Sequence, residues 1–336
     1  MVTRHASRKD MGMRIGIRYC PLVFTLALLL AMPASAHEQP KQAGEYEKTL
    51  VHDGRERSYI LHLPPQYDGH TPLPLVLAFH GGGGNARQLL DSNDLTAEAD
   101  REGFILVAPN GSGKLKRHLL TWNVGFGFGY AMKHAVDDVG FVRQLLNTLE
   151  EGLKIDSRRI FATGISNGGI LCHFIAAHLA DRIGAIAPIV ASVGGRKSSA
   201  EPLIMPPPPT SPVAVIAFNG KLDEHIPYQG GRQIKSVGKP VYVTSADEMH
   251  AFWARANHCA GPPVITDHAA DQYRVIRFFN GCKGSEVVQY LILDQGHAWP
   301  GGKKPRFFAD KPSTHVSADH VMWEFFITHP KRISRH

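Results

Sequence analysis

The sequence predicts a single α/β domain with a mostly parallel central sheet and helices on both faces. Short apolar runs such as Leu73 to Phe79 and Phe104 to Ala108 recur with helix-length segments between them. The runs are continuous rather than alternating, which is the pattern of strands buried on both faces. Strand and crossover segment repeat along the chain with no internal repeat and no second composition regime, so one domain accounts for the length.

Lys48 to His52 and Ser58 to Leu63, separated by Asp53-Gly54, read as an opening hairpin. Leu73 to Phe79 is the first buried strand and ends in His80 and four glycines. A helix over Arg87 to Arg101 leads to a strand at Phe104 to Ala108, stopped by Pro109-Asn110-Gly111. Next come a helix over Asp138 to Leu153, a strand at Ile160 to Thr163, a helix over Gly168 to Leu179 and a strand at Ala185 to Val190. Glu201 to Pro212, with Pro206 to Pro209 in a row, is expected to be an exposed, stiff connection. A strand at Val213 to Phe218, a helix over Ala246 to Ala256, strands at Tyr273 to Phe278 and Val287 to Leu293, and a helix near Val321 to Ile327 complete the pattern.

Of 336 residues, 43% are hydrophobic and 20% charged, the balance of a globular chain. The net charge of +7 suggests nucleic acid, but much of it lies at the N-terminus. Arg4, Arg8, Lys9, Arg14 and Arg18 precede an apolar run from Cys20 to Met32, and Ala34-Ser35-Ala36 offers small residues for cleavage. This reads as a secretory signal over residues 1–36, too short to span a bilayer stably. Residues 37–336 then hold 32 basic and 29 acidic residues, a net charge of +3, so no nucleic-acid partner and no stable membrane span are expected. The destination is secreted or periplasmic. In that oxidising setting Cys259 and Cys282, both in polar turn-rich contexts, are expected to pair, closing a loop of about 24 residues for about 3 kcal/mol. Cys172, in an apolar run, reads as a buried thiol.

Gly164-Ile165-Ser166-Asn167-Gly168 fits G-x-S-x-G between a strand and a helix, a turn that lifts the serine hydroxyl off the sheet end. This points to the α/β-hydrolase fold, with Ser166 as nucleophile. The orienting acid and the base are expected after later strands. Asp223 follows the strand Val213 to Phe218, with Glu224 and Asp294 as rival acids, and His297 follows Val287 to Leu293 in a glycine-rich loop. His80-Gly81-Gly82-Gly83-Gly84 offers backbone N–H groups for an oxyanion, with the Asn167 N–H as second donor. Gly81 to Gly84 with Asn85-Ala86 also fits a dinucleotide-binding turn of a nucleotide-dependent oxidoreductase. The strand ending in Pro109-Asn110 lacks the acidic residue that such a fold places on the ribose. A non-catalytic binding protein on a hydrolase scaffold is the other alternative. No His/Cys/Asp cluster has metal-ligand spacing and no cofactor is expected. In the loop Thr121 to Tyr130, Trp122 is a candidate wall for an acyl or phenolic pocket, together with Trp299.

These motifs together resemble the secreted esterases of the polyhydroxybutyrate depolymerase and feruloyl esterase type, within carbohydrate-esterase family one. The resemblance rests on His80-Gly81-Gly82, Val136-Asp137-Asp138-Val139-Gly140-Phe141, Gly164-Ile165-Ser166-Asn167-Gly168-Gly169, Asp223 with Ile226-Pro227-Tyr228, and Gly296-His297-Ala298-Trp299-Pro300-Gly301. It implies serine ester hydrolysis through an acyl-enzyme, with Ser166, Asp223 and His297 catalytic and Gly82 the oxyanion donor of the glycine run. The substrate it implies is an ester, small, oligomeric or polymeric, and Cys259 with Cys282 looks like a family disulfide. The chain departs from the pattern in carrying Asn219 where the family often has histidine, and Asn123-Val124 where it often has a cysteine pair.

Overall fold

The computed structural model describes residues 40–115, 118–236, 238–303 and 310–332. The signal expected over residues 1–36 lies outside them, and the described residues belong to one compact unit. Its strands are β1 Gly44–His52, β2 Arg55–Leu63, β3 Leu73–Phe79, β4 Ile105–Pro109, β5 Ile155–Ile165, β6 Ala185–Ile189, β7 Gly195–Arg196, β8 Ala214–Gly220, β9 Gly231–Arg232, β10 Tyr242–Val243, β11 Val264–His268, β12 Tyr273–Phe278 and β13 Val287–Ile292. Its helices are α1 Ala86–Asp91, α2 Leu95–Glu102, α3 Tyr130–Lys133, α4 Asp138–Gly152, α5 Asn167–His178, α6 Ala246–Ala256 and α7 Ala318–Thr328.

Ten strands pair in the order β1-β2-β4-β3-β5-β6-β8-β13-β12-β11. The stretch from β4 to β13 is parallel throughout. Antiparallel pairs flank it: β1 with β2 and β2 with β4 on one side, β11 with β12 and β12 with β13 on the other. Asp53 and Gly54, both at positive φ, make the tight turn of the expected first hairpin.

Successive side chains of β3 enter different cores. Leu75, Leu77 and Phe79 pack with Phe141 of α4, Leu171 of α5 and Trp253 of α6. Val76 and Ala78 pack with Leu89 of α1, Ala99 of α2 and Phe326 of α7. The period of two thus sends alternate residues to opposite faces, each covered by helices, which is why the strand sequences lack a polar side.

The single helix expected over Arg87 to Arg101 is two helices. Ser92 and Asn93 interrupt it: the Ser92 hydroxyl donates to Leu89 O at 2.8 Å and Asn93 Oδ1 accepts Leu95 N–H at 3.1 Å. Side chains that satisfy the backbone locally compete with helical bonds, and here they win. The proline-rich connection is irregular from Pro206 to Pro212, as expected. The small sheet β7-β10-β9 and the edge strand β11 have only two to five residues each and carried no readable periodicity. The expected disulfide is absent in this structure: Cys259, half-buried, and Cys282, exposed, are free thiols. They nevertheless lie close together, since Asn257 O accepts the Cys282 N–H at 2.7 Å.

Phe161 of β5 is fully buried and stacks on Phe326 of α7 at 4.7 Å between ring centroids. Phe161→Ala is expected to cost about 3–5 kcal/mol, read as a lower urea midpoint at unchanged slope.

Candidate active site

Ser166 ends β5 and caps α5 with φ 57° and ψ −121°, in the left-handed half of conformational space. Its N–H donates to Ile189 O at 2.9 Å and its C=O accepts Ile170 N–H at 2.8 Å, so both neighbouring elements hold the turn. The flanking glycines are required by close approach. A Cβ on Gly164 would lie 2.7 Å from Gly168 O, and one on Gly168 would lie 2.3 Å from Phe79 O. Any larger residue would push β3, β5 and α5 apart.

Asp223 and His297 leave the sheet side by side, because β8 and β13 are adjacent and pair Gly220 with Ile292. The loops are laced together: Lys221 N–H donates to Ile292 O at 2.8 Å and Leu222 N–H to Gln295 O at 2.9 Å. A Cβ on Gly220 would sit 2.4 Å from both Gln295 O and Gly296 O. Asp223 Oδ1 accepts two backbone N–H groups, of His225 and Ile226, each at 2.8 Å. Its Oδ2 is thereby aimed at His297 Nδ1, 2.7 Å away. A carboxylate accepts only, so Nδ1 carries the proton and Nε2 is the basic nitrogen. The rival acids are engaged elsewhere, Glu224 with Lys235 and Asp294 with His315.

The glycine run lies against the elbow. A Cβ on Gly81 would lie 3.5 Å from Ser166 Cβ, and one on Gly82 3.4 Å from Asn167 Cβ. Gly83 N–H is taken by Leu120 O at 2.7 Å and Gly84 N–H by Gly81 O at 3.1 Å, while among the described residues no acceptor meets Gly82 N–H. The same engagement of Gly83 and Gly84 removes the donors that a dinucleotide pyrophosphate would need. Asn167 is the first residue of α5, where an N–H has no partner within the helix.

His80 locks this run. Its ring bonds Gly81 O through Nδ1 at 2.8 Å and accepts Gly111 N–H at Nε2, 2.9 Å away, a neutral tautomer wedged between two loops. Burial holds its pKa down at about 4.

Trp122 and Trp299 do not line an open pocket, which corrects the expectation for both. Trp122 has no exposed surface and donates its indole N–H to His80 O at 2.8 Å. Trp299, 3% exposed, donates to Asp319 Oδ1 at 3.1 Å. Each is a strut beneath the site. Asn167 does more than offer its N–H, since its side chain clamps the Trp122 backbone, accepting from N at 2.8 Å and donating to O at 3.2 Å. Asp310 was missed by sequence reasoning: its Oδ2 accepts His297 N–H at 2.7 Å, and its own N–H returns to His297 O at 3.2 Å. Nothing in the sequence around Asp310 signals that contact. Phe128 and His225, half-buried beside Gly82 and His297, are the aromatic side chains that reach the site.

A G-x-S-x-G elbow, an aspartate–histidine pair on adjacent strand ends and free backbone donors beside the serine lie where the α/β-hydrolase fold places them. Residues 57–206 match the family model described as Esterase PHB depolymerase. Feruloyl esterase B of Piromyces equi is 27% identical over 254 residues, 74% of this chain, and the chain spans 44% of that relative's length. Feruloyl esterase D of Neurospora crassa is 27% identical over 224 residues, covering 63% of this chain and 71% of the relative. In structure the chain is similar to the acetyl xylan esterase of Aspergillus awamori, with TM-score 0.55 at 14% identity over 84% of this chain and 98% of that one. The relatives are esterases, and the structural similarity is one of α/β-hydrolase fold.

Burial sets opposing pH dependences. It holds His80 at about 4, His173 at about 3 and His250 at about 4, all below the unfolded value. The unfolded chain therefore takes up more protons below pH 6.5, and stability is lost as pH falls toward 4, on the order of 3 kcal/mol per histidine. Asp319, lodged between Trp299 and the Asp94 N–H, is pushed up to about 7 by burial. Its native carboxyl binds a proton as pH falls through 7, which favours the fold toward acid and is lost again as pH rises. The urea midpoint is expected to fall between pH 6.5 and 4.5, and to fall more steeply in Asp319→Asn, where the compensating uptake is gone.

Proposed function

We propose that this protein is a serine esterase that hydrolyses carboxylic esters through an acyl-enzyme. The observation that carries the reading is the Asp223–His297 contact of 2.7 Å, with the Asp223 second oxygen fully occupied by backbone donors. In this reading His297 Nε2 takes the Ser166 hydroxyl proton as the oxygen attacks the ester carbonyl, then delivers it to the departing alcohol. Asp223 keeps the tautomer and stabilises the imidazolium. The Gly82 and Asn167 N–H groups meet the oxyanion, each donor contributing roughly 3–4 kcal/mol to the barrier. Water then repeats the sequence on the acyl-serine and regenerates the hydroxyl.

The relatives' names supply the candidate substrates, feruloyl and acetyl-xylan esters, with hydroxybutyrate oligomers suggested by the family description. A soluble enzyme exported to the periplasm or medium agrees with the Arg-rich, apolar N-terminus and Ala34-Ser35-Ala36. Among the described residues no helix is long and apolar enough to cross a membrane.

Ser166→Ala is expected to reduce hydrolysis of 4-nitrophenyl acetate by about 10⁶-fold, to background, with folding intact. Asp223→Asn should cost about 10⁴-fold. Retained turnover in Ser166→Ala would overturn the assignment of the nucleophile, whereas a parent protein that neither hydrolyses the ester nor reacts with a fluorophosphonate would be a non-catalytic scaffold. For the exported protein, intact mass is expected to start at His37. Native alkylation is expected to add alkyl groups at Cys259 and Cys282, the accessible free thiols of this structure, whereas protection of both would show a bridge formed on export.

A further inference from the structure

The geometry points to Phe128 as the residue that selects the acyl group of the ester. This rests on the serine-esterase reading and adds which side of the substrate the chain discriminates.

The segment Gly125-Phe126-Gly127-Phe128-Gly129 alternates glycine with phenylalanine, and all three glycines have positive φ, at 80°, 94° and 103°. Such a backbone is open to glycine and strained for other residues, so the sequence fixes a loop whose two rings have separate fates. Phe126 is buried, and a Cβ on Gly195 of β7 would lie 2.3 Å from its ring, so it anchors the loop to the small sheet. Gly129 packs on Thr121, whose hydroxyl accepts Ala131 N–H at 3.1 Å, and this fixes the other end. Phe128, between the two anchors, stays half-exposed.

Its ring lies on the oxyanion donors. A Cβ on Gly82 would come within 2.8 Å of Phe128 Cζ and 3.4 Å of Asn167 Cβ. At the base of the side chain, a Cβ on Gly238 would lie 3.5 Å from Phe128 Cβ, so an exposed glycine flanks the stem while the ring tip reaches the glycine run. The ring of His297 is 4.8 Å from that of His225. His297 protonates the leaving oxygen, so the alcohol portion lies at the His225 end. The carbonyl oxygen sits between Gly82 and Asn167, and the acyl substituent on that carbon meets Phe128. A ring whose tip lies against Gly82 narrows the space next to the carbonyl, so it excludes branching there while offering an apolar wall to straight or planar chains.

The test uses the full mature chain, its Phe128→Ala and Phe128→Trp variants, and 4-nitrophenyl esters of constant alcohol. The kcat/KM ratio of trimethylacetate to acetate is expected to rise by about 10-fold or more in Phe128→Ala and to fall in Phe128→Trp, while the ratio between nitrophenyl and naphthyl acetates stays within about twofold. Stoichiometric fluorophosphonate labelling of each variant shows that Ser166 and its surroundings are intact. An unchanged acyl ratio in fully labelled variants would overturn the assignment, as would an alcohol ratio that moves as much as the acyl ratio. A parent protein inert to both probe and esters would overturn the esterase reading and the acyl wall with it.

Discussion

The backbone of Ser166 is the constraint around which the site is assembled. A non-glycine residue at φ 57° costs about 1–3 kcal/mol, and such conformations persist only where the surroundings over-determine them. Here the surroundings are the parallel centre of the sheet. Ile189 at the end of β6 accepts the Ser166 N–H, while Phe79 at the end of β3 packs so tightly on Gly168 that no side chain fits between them. The strain is offset by burial of β5 and α5, whose Phe161, Leu171 and Cys172 have no exposed surface. In return the hydroxyl stands clear of the helix: Ser166 occupies the cap position without a capping bond from its side chain.

A second consequence of the elbow is the network behind the candidate oxyanion donors. Asn167 clamps the Trp122 backbone, the Trp122 indole donates to His80 O, and the His80 ring bonds Gly81 O. A trans peptide directs its C=O and N–H to opposite sides, so fixing Gly81 O also sets the direction of Gly82 N–H. Beneath this chain, Asp138 accepts Asn123 N–H at 2.7 Å and pairs with buried Arg57 at 2.7 Å, while the guanidinium lies 3.9 Å over the Phe141 ring. Arg57 Nε and Nη1 have no partner among the described residues, so this pair is a costly one. Its physical return is the placement of the Trp122 loop.

The acid and base need a different kind of precision. Because β8 and β13 are neighbours, their loops exchange backbone bonds and close on each other without a gap at Gly220. Asp310 then fixes the His297 backbone from the far side. The two catalytic candidates therefore depend on one inter-strand register.

Much of this was legible in the chain. Continuous apolar runs announced strands buried on both faces, and the turn chemistry placed Ser166, Asp223 and His297 at strand ends, because those signals are local and repeat with the periods of the backbone. Helix breaks at Ser92 and Asn93, the role of Asp310 and the burial of Trp122 and Trp299 were not legible. The helix break is a local competition between side-chain and helical bonds that composition does not decide, whereas Asp310, Trp122 and Trp299 meet partners 13, 42 and 20 residues away, and composition does not reveal whether an aromatic ring faces solvent or a carbonyl. The sequence by itself determined the order of the buried strands and of the main crossover helices, and the residue types able to perform the chemistry. Only the tertiary structure decided which carboxylate meets His297 and which aromatic ring lies beside Gly82, because both follow from sheet order and loop packing that no local pattern encodes.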